Sequence, residues 1–265
     1  MNDSALLAPA QTAAEIGATL ADIVEEAAQI ILPFWRSDLE VETKTDDSPV
    51  TQADRAAEAH ILKRLHALFP GACIVSEEDA SEYGTPDAVG RRFFLVDPLD
   101  GTRGFVRGGE SYTVNIGLIE DGRPVAGAVA APASGTVWYT AGEGAMRRRF
   151  GETQATPVRV RQKPEGRGVA LLSHTVKDDE AERLCARHGC TSWQGLDSSV
   201  KFCLIAEGRA DVYPRPGRTM EWDTAAAHAV LAAAGGRVLT MDGEPLAYGK
   251  ADRGFENPGF LAVGA

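Results

Sequence analysis

The stretch from Phe93 to Thr102 limits the fold of this chain more than any other part of the sequence. Four apolar residues, Phe93 to Val96, are followed by Asp97, and a second carboxylate, Asp100, comes three positions later. The apolar run predicts a buried strand. Carboxylates at the end of a buried strand are costly unless a cation neutralises them. Because divalent metal ions prefer oxygen ligands, the pattern predicts a metal site at this point.

The two residues after Asp100 predict that an anion binds beside the metal. Gly101 and Thr102 offer backbone N–H groups at the start of a new element, and such groups bind anions. The stretch therefore indicates a metal-assisted phosphate site. An EF-hand is excluded, because the sixth and twelfth residues from Asp97 are Thr102 and Gly108. P-loop, G-x-S-x-G and HExxH patterns do not occur in the sequence.

Composition narrows the class of protein further. The 265 residues are 44% hydrophobic and 25% charged, which is typical of a globular protein. A net charge of −11 argues against a nucleic-acid polymer as partner. The four cysteines lack zinc-site spacing, and no apolar run approaches the roughly 20 residues needed to span a bilayer. We expect a cytoplasmic protein, with peripheral association with the inner membrane left open.

Apolar spacing predicts a first part made of two helices followed by a largely antiparallel sheet. The helices are expected over residues 12–32 and 52–68, with Thr51 and Asp54 as a capping box at the start of the second. A turn is expected at 46–49. Strands are expected over residues 72–76, 92–96, 113–119, 125–131 and 136–140.

A polar segment over residues 150–168 predicts a boundary, after which strands and helices alternate. The predicted strands cover residues 169–172, 191–194, 210–213, 237–240 and 260–263, and the predicted helices cover 178–187, 198–207 and 223–234. Alternation of this kind is typical of an α/β layer. The fold class is therefore α/β, with an α+β N-terminal subdomain (1–150) and an α/β C-terminal subdomain (151–265).

Further acidic residues stand at the ends of predicted elements, where functional sites are usually built. They are Asp54 in the first turn of a helix, Glu77 and Glu78 directly after a strand, and Asp223 at the start of an apolar helix. Pattern alone leaves alternatives for each of them. Asp54 and Asp223 could only cap their helices, and Glu77 and Glu78 could be solvated loop charges.

Three motifs resemble those of the inositol monophosphatase-like, magnesium-dependent and lithium-sensitive phosphatases. Residues 97–102 match the signature DP[IL]DGT, residues 76–78 resemble the [GS]EE element, and residues 222–226 resemble the WDxA element. The motifs occur in the family's order and at similar spacing, and the resemblance covers nearly the whole chain. It implies a layered αβαβα sandwich of the inositol monophosphatase and fructose-1,6-bisphosphatase type.

Further segments resemble the CysQ-type 3′(2′),5′-bisphosphate nucleotidases within this group. They are residues 48–54, 113–119, 198–203, 213–215 and 219–223. The sequence departs from that pattern at three places. Arg103-Gly104 replaces a Lys-Glu pair, Asp197 replaces a glycine, and an SRSH-like segment is present only as Ser173-His174.

The resemblance implies a role for each motif residue. The carboxylates of Glu77, Asp97, Asp100 and Asp223, with the backbone carbonyl of Leu99, would hold two or three Mg²⁺ ions. Gly101 and Thr102 would bind the phosphate through backbone N–H groups. Thr102 and Asp54 would orient and deprotonate a water molecule activated by the metal.

The resemblance also implies the substrate, a small phosphorylated nucleotide. We expect removal of the 3′-phosphate from 3′-phosphoadenosine 5′-phosphate, a reaction of sulfur metabolism, by a monomer or homodimer. Ser198, Ser199 and Lys201 would contact the second phosphate or the ribose, with His174 and Arg215 as further candidates. The alternatives are an ordinary amphipathic helix at 198–207, inositol monophosphatase or histidinol phosphatase activity, and a non-catalytic protein that binds a phosphorylated ligand.

Overall fold

The computed structural model of the protein describes residues 12–37, 41–43, 49–142 and 144–265. Two long helices lie at the N-terminal end of the described chain. Helix α1 (Ala13–Ile31) runs into a 3₁₀ turn at Leu32–Phe34. Strands β1 (Val41–Thr43) and β2 (Pro49–Thr51) pair antiparallel and lead into α2 (Gln52–Leu68). Both predicted helices are confirmed to within one residue. Most of the turn predicted at 46–49 lies outside the described residues.

A seven-stranded sheet follows the helices. Its strands occur in spatial order as in the sequence: β3 (Cys73–Ser76), β4 (Arg92–Asp100), β5 (Thr113–Glu120), β6 (Arg123–Ala131), β7 (Thr136–Ala141), β8 (Gly144–Arg149) and β9 (Thr156–Val158). β3 pairs parallel with β4, and the later neighbours pair antiparallel. Two short helices, α3 (Glu77–Tyr83) and α4 (Thr102–Val106), follow β3 and β4. All five predicted strands are present, although β4 runs beyond its predicted end, whereas α3, β8 and β9 were not predicted.

The C-terminal part builds a second, five-stranded sheet with the order β11-β10-β12-β16-β14. In chain order the elements are β10 (Gly168–Leu172), α5 (Asp178–Arg187), β11 (Cys190–Gly195), α6 (Val200–Ala206), β12 (Val212–Arg215), β13 (Thr219–Met220), α7 (Ala225–Ala233), β14 (Arg237–Thr240), β15 (Glu256–Asn257) and β16 (Phe260–Val263). β13 and β15 form a separate small pair. β9, at residues 156–158, still belongs to the first sheet, and the division at residue 150 stays a prediction.

The two sheets and the helices stack in layers. α1 and α2 pack on the first sheet, while α7 packs on the same sheet and on β14 of the second. α6 contacts α7 and β12, and α5 covers β10 and β11. This arrangement is the αβαβα layering that the family resemblance implies. Among the described helices, none combines the length and the apolar character that crossing a lipid bilayer requires.

The apolar run of β4 is buried because helices cover both faces of the first sheet. Phe93 and Leu95 belong to the core shared with α6 and α7, while Phe94 and Val96 belong to the core beneath α1 and α2. Alternation between two covered faces produces a continuous apolar run. The prediction that the strand ends at Val96 is wrong, because β4 continues to Asp100 while still paired with β5.

Close approach of α7 to the first sheet places Asp223, two residues before the helix, near β4. A Cβ atom at Gly127 would lie 2.5 Å from the carbonyl oxygen of Ala226, and one at Gly117 would lie 2.8 Å from the Cβ of Ala225. Glycine is therefore required at both positions for the helix to lie this close to β5 and β6. The shared layer thus brings residues of the C-terminal part to the end of β4.

Candidate active site

Three carboxylates from distant parts of the chain meet in the structure. One oxygen of each of Glu77, Asp97 and Asp223, which we call the carboxylate cluster, lies within 4.8 Å of the other two. Asp97 is buried, and the other two side chains are partly exposed. The structure thus brings together three of the four acids for which a metal role is predicted.

Burial and crowding raise the pKa values of Asp97 and Asp223. The pKa of Asp97 lies well above its usual range, because of burial first and then the charges of Glu77, Asp100 and Asp223. Burial and the charges of Asp100 and Glu77 likewise raise the pKa of Asp223. Crowded buried carboxylates of this kind need a proton or a cation to be stable. The set of hard oxygen donors fits a divalent metal ion.

Asp100 lies beside the carboxylate cluster and has partners of its own. Its Oδ2 accepts the backbone N–H of Ser199 at 2.5 Å. Burial raises the pKa of Asp100 to about 6, a rise that the positive charge of Lys201 and the Ser199 hydrogen bond limit. Its role as a metal ligand stays a prediction.

A β-bulge and two helix starts place these acids. Asp97 pairs with Asn115 on β5, whereas Asp100 pairs with Thr113, so the register shifts between the two acids. Bulges re-aim the side chains of a strand, and a proline at a bulge leaves no backbone donor unpaired. Glu77 is the first residue of α3, and Asp223 lies two residues before α7.

Asp54 both caps its helix and contacts Thr102. Its Oδ2 accepts the N–H and the hydroxyl of Thr51 at 2.8 and 2.6 Å, which completes the predicted capping box. Its Oδ1 lies 3.2 Å from the Thr102 hydroxyl, which lies 2.8 Å from the carbonyl oxygen of Leu99. The two interpretations of Asp54 that the sequence left open are therefore compatible. The single hydroxyl hydrogen of Thr102 has two acceptors within reach.

Glu58 is a residue of this region that sequence reasoning missed. It is buried on α2, and its Oε1 accepts the N–H groups of Glu78 and Asp79 at 3.1 and 3.4 Å. Burial raises its pKa, against the effect of the hydrogen bonds from the backbone N–H groups of Asp79 and Glu78. The carboxylate holds the start of α3, whose first residue is Glu77. Its position one turn after Asp54, on the apolar face of α2, was the available signal.

The loop before α6 is held by buried polar contacts. The hydroxyl of Ser199 donates to Oδ1 of Asn115 at 2.6 Å and lies 2.9 Å from that of Thr113. Ser199 is buried, so its hydroxyl links the loop to β5. The sequence did not identify Asn115 or Thr113, because strand residues of this type usually have no site role.

Lys201 and Ser198 shape the same loop. Lys201 is buried, and its Nζ donates to the carbonyl oxygens of Leu196 and Ser198 at 3.1 and 2.5 Å. Burial lowers its pKa to about 8, although the charges of Asp100 and Asp197 oppose the shift. The substrate contacts predicted for Ser198, Ser199 and Lys201 stay predictions, and all three residues line the cleft described next.

A cleft of about 440 Å³ contains most of the predicted site residues. Glu77, Asp100 and Asp223 line it together with Gly101 and Thr102. Basic residues line it as well, namely Arg103, Arg107, His174, Lys201 and Arg215. The cleft therefore combines oxygen ligands for a cation with donors for anions, which is the combination that a phosphate ester and a metal ion require.

Comparison with known proteins agrees with this arrangement. The sequence model of the inositol monophosphatase family matches residues 12–262. The chain is 41% identical over 222 residues to the 3′(2′),5′-bisphosphate nucleotidase CysQ of Salmonella typhimurium, covering 84% of this chain and 88% of that protein. CysQ of Buchnera aphidicola is 34% identical, with 92% and 91% covered.

A solved structure supports the same relationship. CysQ from Bacteroides thetaiotaomicron, described as a bacterial member of the inositol monophosphatase family, superposes with a TM-score of 0.77 at 29% identity. The match covers 95% of this chain and 97% of that one. Sequence and fold thus agree over nearly the whole length, and the chain belongs to the inositol monophosphatase family.

Proposed function

We propose that this protein is a magnesium-dependent phosphomonoesterase that removes the 3′-phosphate of 3′-phosphoadenosine 5′-phosphate. The observation that carries the proposal is the cleft, which Glu77, Asp223 and five basic residues line together, with Asp97 buried behind the two acids. Relatives that are 34–41% identical bear the name of this nucleotidase. A substrate with two phosphate groups needs both a metal site and further donors, and the cleft contains carboxylates suited to the first and basic residues suited to the second.

Glu77, Asp97 and Asp223 would hold the metal, with Asp100 and the carbonyl oxygen of Leu99 as further ligands for two or three Mg²⁺ ions. Carboxylate and carbonyl oxygens are the donors that Mg²⁺ prefers. When bound, the metal supplies positive charge that polarises the phosphate and lowers the pKa of water. It would also relieve the repulsion that raises the pKa values of Asp97 and Asp223.

Thr102 and Asp54 provide a path for the proton of the attacking water. If the Leu99 carbonyl is used as a metal ligand, the Thr102 hydroxyl donates its hydrogen to Oδ1 of Asp54, 3.2 Å away. The hydroxyl oxygen is then free to accept a hydrogen bond from the water. The Asp54 carboxylate is the final acceptor of this chain of hydrogen bonds. It accepts the Thr102 hydroxyl proton as Thr102 takes one from the water, and so acts as the general base through Thr102.

Backbone and basic groups bind the substrate. Gly101 has a φ of +93°, and a Cβ there would lie 2.9 Å from the carbonyl oxygen of Ser111, so only glycine fits this turn. Its N–H and that of Thr102 are proposed to bind the scissile phosphate. Arg215, whose Nε is a buried donor without a hydrogen-bond partner among the described residues, is proposed to bind the nucleotide beside Lys201 and Ser198.

A phosphate-release panel tests the proposal. With Mg²⁺ present, 3′-phosphoadenosine 5′-phosphate should be hydrolysed with the highest kcat/KM, ahead of inositol 1-phosphate and histidinol phosphate. Higher kcat/KM with either of the latter two would replace the proposal by the corresponding sister activity. Binding of the nucleotide without any release of phosphate would favour a non-catalytic binding protein.

A further inference from the structure

A second group of polar side chains lies on the cleft wall, and we call Arg107, His174 and Asp197 the polar triplet. Oδ1 of Asp197 forms a short hydrogen bond with Nδ1 of His174, and Nη2 of Arg107 lies 3.1 Å from Nε2 of the same ring. A guanidinium group can only donate hydrogen bonds. Nε2 of His174 is therefore the acceptor, and Nδ1 carries the hydrogen that Asp197 accepts. Asp197 selects this tautomer and fixes the ring.

The triplet occupies space that Gly104 leaves open. A Cβ atom at position 104 would lie 2.8 Å from Oδ2 of Asp197, closer than van der Waals contact allows. Because Oδ1 of the same carboxylate is bound to His174, Asp197 cannot turn away without breaking that bond. Gly104 and Asp197 are also two of the positions at which the sequence departs from the CysQ-type pattern. The two departures are therefore neighbours in the folded protein.

Stability alone does not account for the triplet. The side chains of His174 and Asp197 are 39% and 23% exposed, and polar contacts of this exposure add little to the free energy of unfolding. Arg107 is exposed at the end of α4 and lines the cleft. Only one of its five N–H groups is needed for His174, which leaves a fork that matches a phosphate group. The contacts therefore determine where the guanidinium lies.

We propose that Asp197 is a positioning residue which, through His174, holds Arg107 to bind the second phosphate group of the substrate. Gly104 belongs to the same arrangement, because a larger side chain at this position would displace the Asp197 carboxylate from His174. The identity of that second phosphate rests on the proposed function. The geometry of the triplet does not depend on it.

A double-mutant cycle with two substrates tests the proposal. Asp197→Gly and Gly104→Ala should each raise KM for 3′-phosphoadenosine 5′-phosphate about tenfold, the value of one charge-assisted hydrogen bond, while kcat stays within about twofold. KM for adenosine 3′-monophosphate, which lacks the second phosphate, should not change. Asp197→Asn keeps an acceptor oxygen and should retain most of the affinity. In the Asp197→Gly protein, Gly104→Ala should have no further effect.

Equal increases in KM for both substrates would overturn the proposal, as would additive effects of the two substitutions. Calorimetry with adenosine 5′-monophosphate supplies a measurement that does not need turnover. Its affinity should fall about tenfold in the Asp197→Gly and Gly104→Ala proteins. Unchanged affinity would refute the role of the triplet even in an active enzyme. A wild-type protein that hydrolyses neither nucleotide but shows this loss of affinity would refute only the proposed function.

Discussion

The carboxylate cluster and the polar triplet lie at one cleft, which Glu77 and Asp223 of the cluster and all three residues of the triplet line, but the two groups balance their charges differently. In the cluster, Asp97 is buried, and the charges of Glu77 and Asp223 add to the effect of burial in raising its pKa. In the triplet, the negative charge of Asp197 faces His174 and, beyond it, Arg107. The cluster is thus electrostatically incomplete without a cation, whereas the triplet satisfies its own charges. The difference predicts that a metal ion changes the first region and leaves the second unchanged.

Substitution of Asp97 gives the largest expected effect. Asp97→Asn removes a charge from the proposed metal site, and metal contributions of several kcal/mol to transition-state binding predict a loss in kcat of about 1,000-fold. Phosphate release at saturating Mg²⁺ measures it. Asp242→Asn, the same change at an exposed position, is the matched control and should keep full activity. Full activity of Asp97→Asn would contradict the role assigned to the cluster.

Magnesium should stabilise the protein through the cluster alone. Binding to the folded state at about 100 times Kd contributes about 2.7 kcal/mol. For a chain of this size we expect a rise in Tm of about 5–10 °C. Differential scanning fluorimetry with and without chelator measures this change. Asp197→Gly should show the same rise as the wild type, and a smaller rise would show that the two regions are coupled.

Glu58 should affect metal binding without touching the metal. Glu58→Ala removes the acceptor that holds the start of α3, and displacement of Glu77 should raise the Mg²⁺ concentration for half-maximal activity about tenfold. Glu58→Gln keeps one acceptor oxygen and is the matched conservative variant, so its change should be smaller. Equal effects of both variants would mean that the charge of Glu58, and not its hydrogen bonds, is what matters.

The smallest expected effect concerns the stability of the metal-free protein at different pH values. The pKa of Asp100 is raised to about 6 from 3.8, and that of Asp97 is also raised. From about pH 4 upward, the unfolded chain releases protons that the folded protein keeps, so these carboxyl groups lower the free energy of unfolding as pH rises. Asp97→Asn removes one of them. Without metal, its Tm should exceed that of the wild type at pH 7 by about 3 °C or more, the change that ~1 kcal/mol produces.

Thermal unfolding in chelator from pH 4 to pH 7 checks the sign. The difference in Tm between Asp97→Asn and the wild type should widen as pH rises. With Mg²⁺ added at pH 7 the order should reverse, because only the wild type retains the whole cluster. A difference that is constant across this pH range would show that Asp97 does not carry the unfavourable charge.

The local sequence predicted the elements that have strong periodicity or clear end signals. α2 begins at the capping box of Thr51 and Asp54, and β4 contains the buried apolar run of Phe93 to Val96. α3 was missed because its seven residues carry little apolar pattern, and its start is fixed by Glu58 from another helix. The continuation of β4 to Asp100 was missed because a proline ordinarily ends a strand, whereas here a bulge preserves the pairing with β5.

The sequence by itself determined the chemistry of the carboxylate cluster, because its acids stand in short motifs at the ends of elements. Within each motif the residues are neighbours in the chain, so local spacing identifies each acid even though the three motifs lie far apart. Only the tertiary structure determined that the residues of the polar triplet contact one another and that Asp197 packs against Gly104. These contacts join residues up to 93 positions apart in the chain. They depend on where the side chains lie after folding, which no local sequence pattern records. Close packing of α4 against the loop before α6 is the physical reason that they depend on one another.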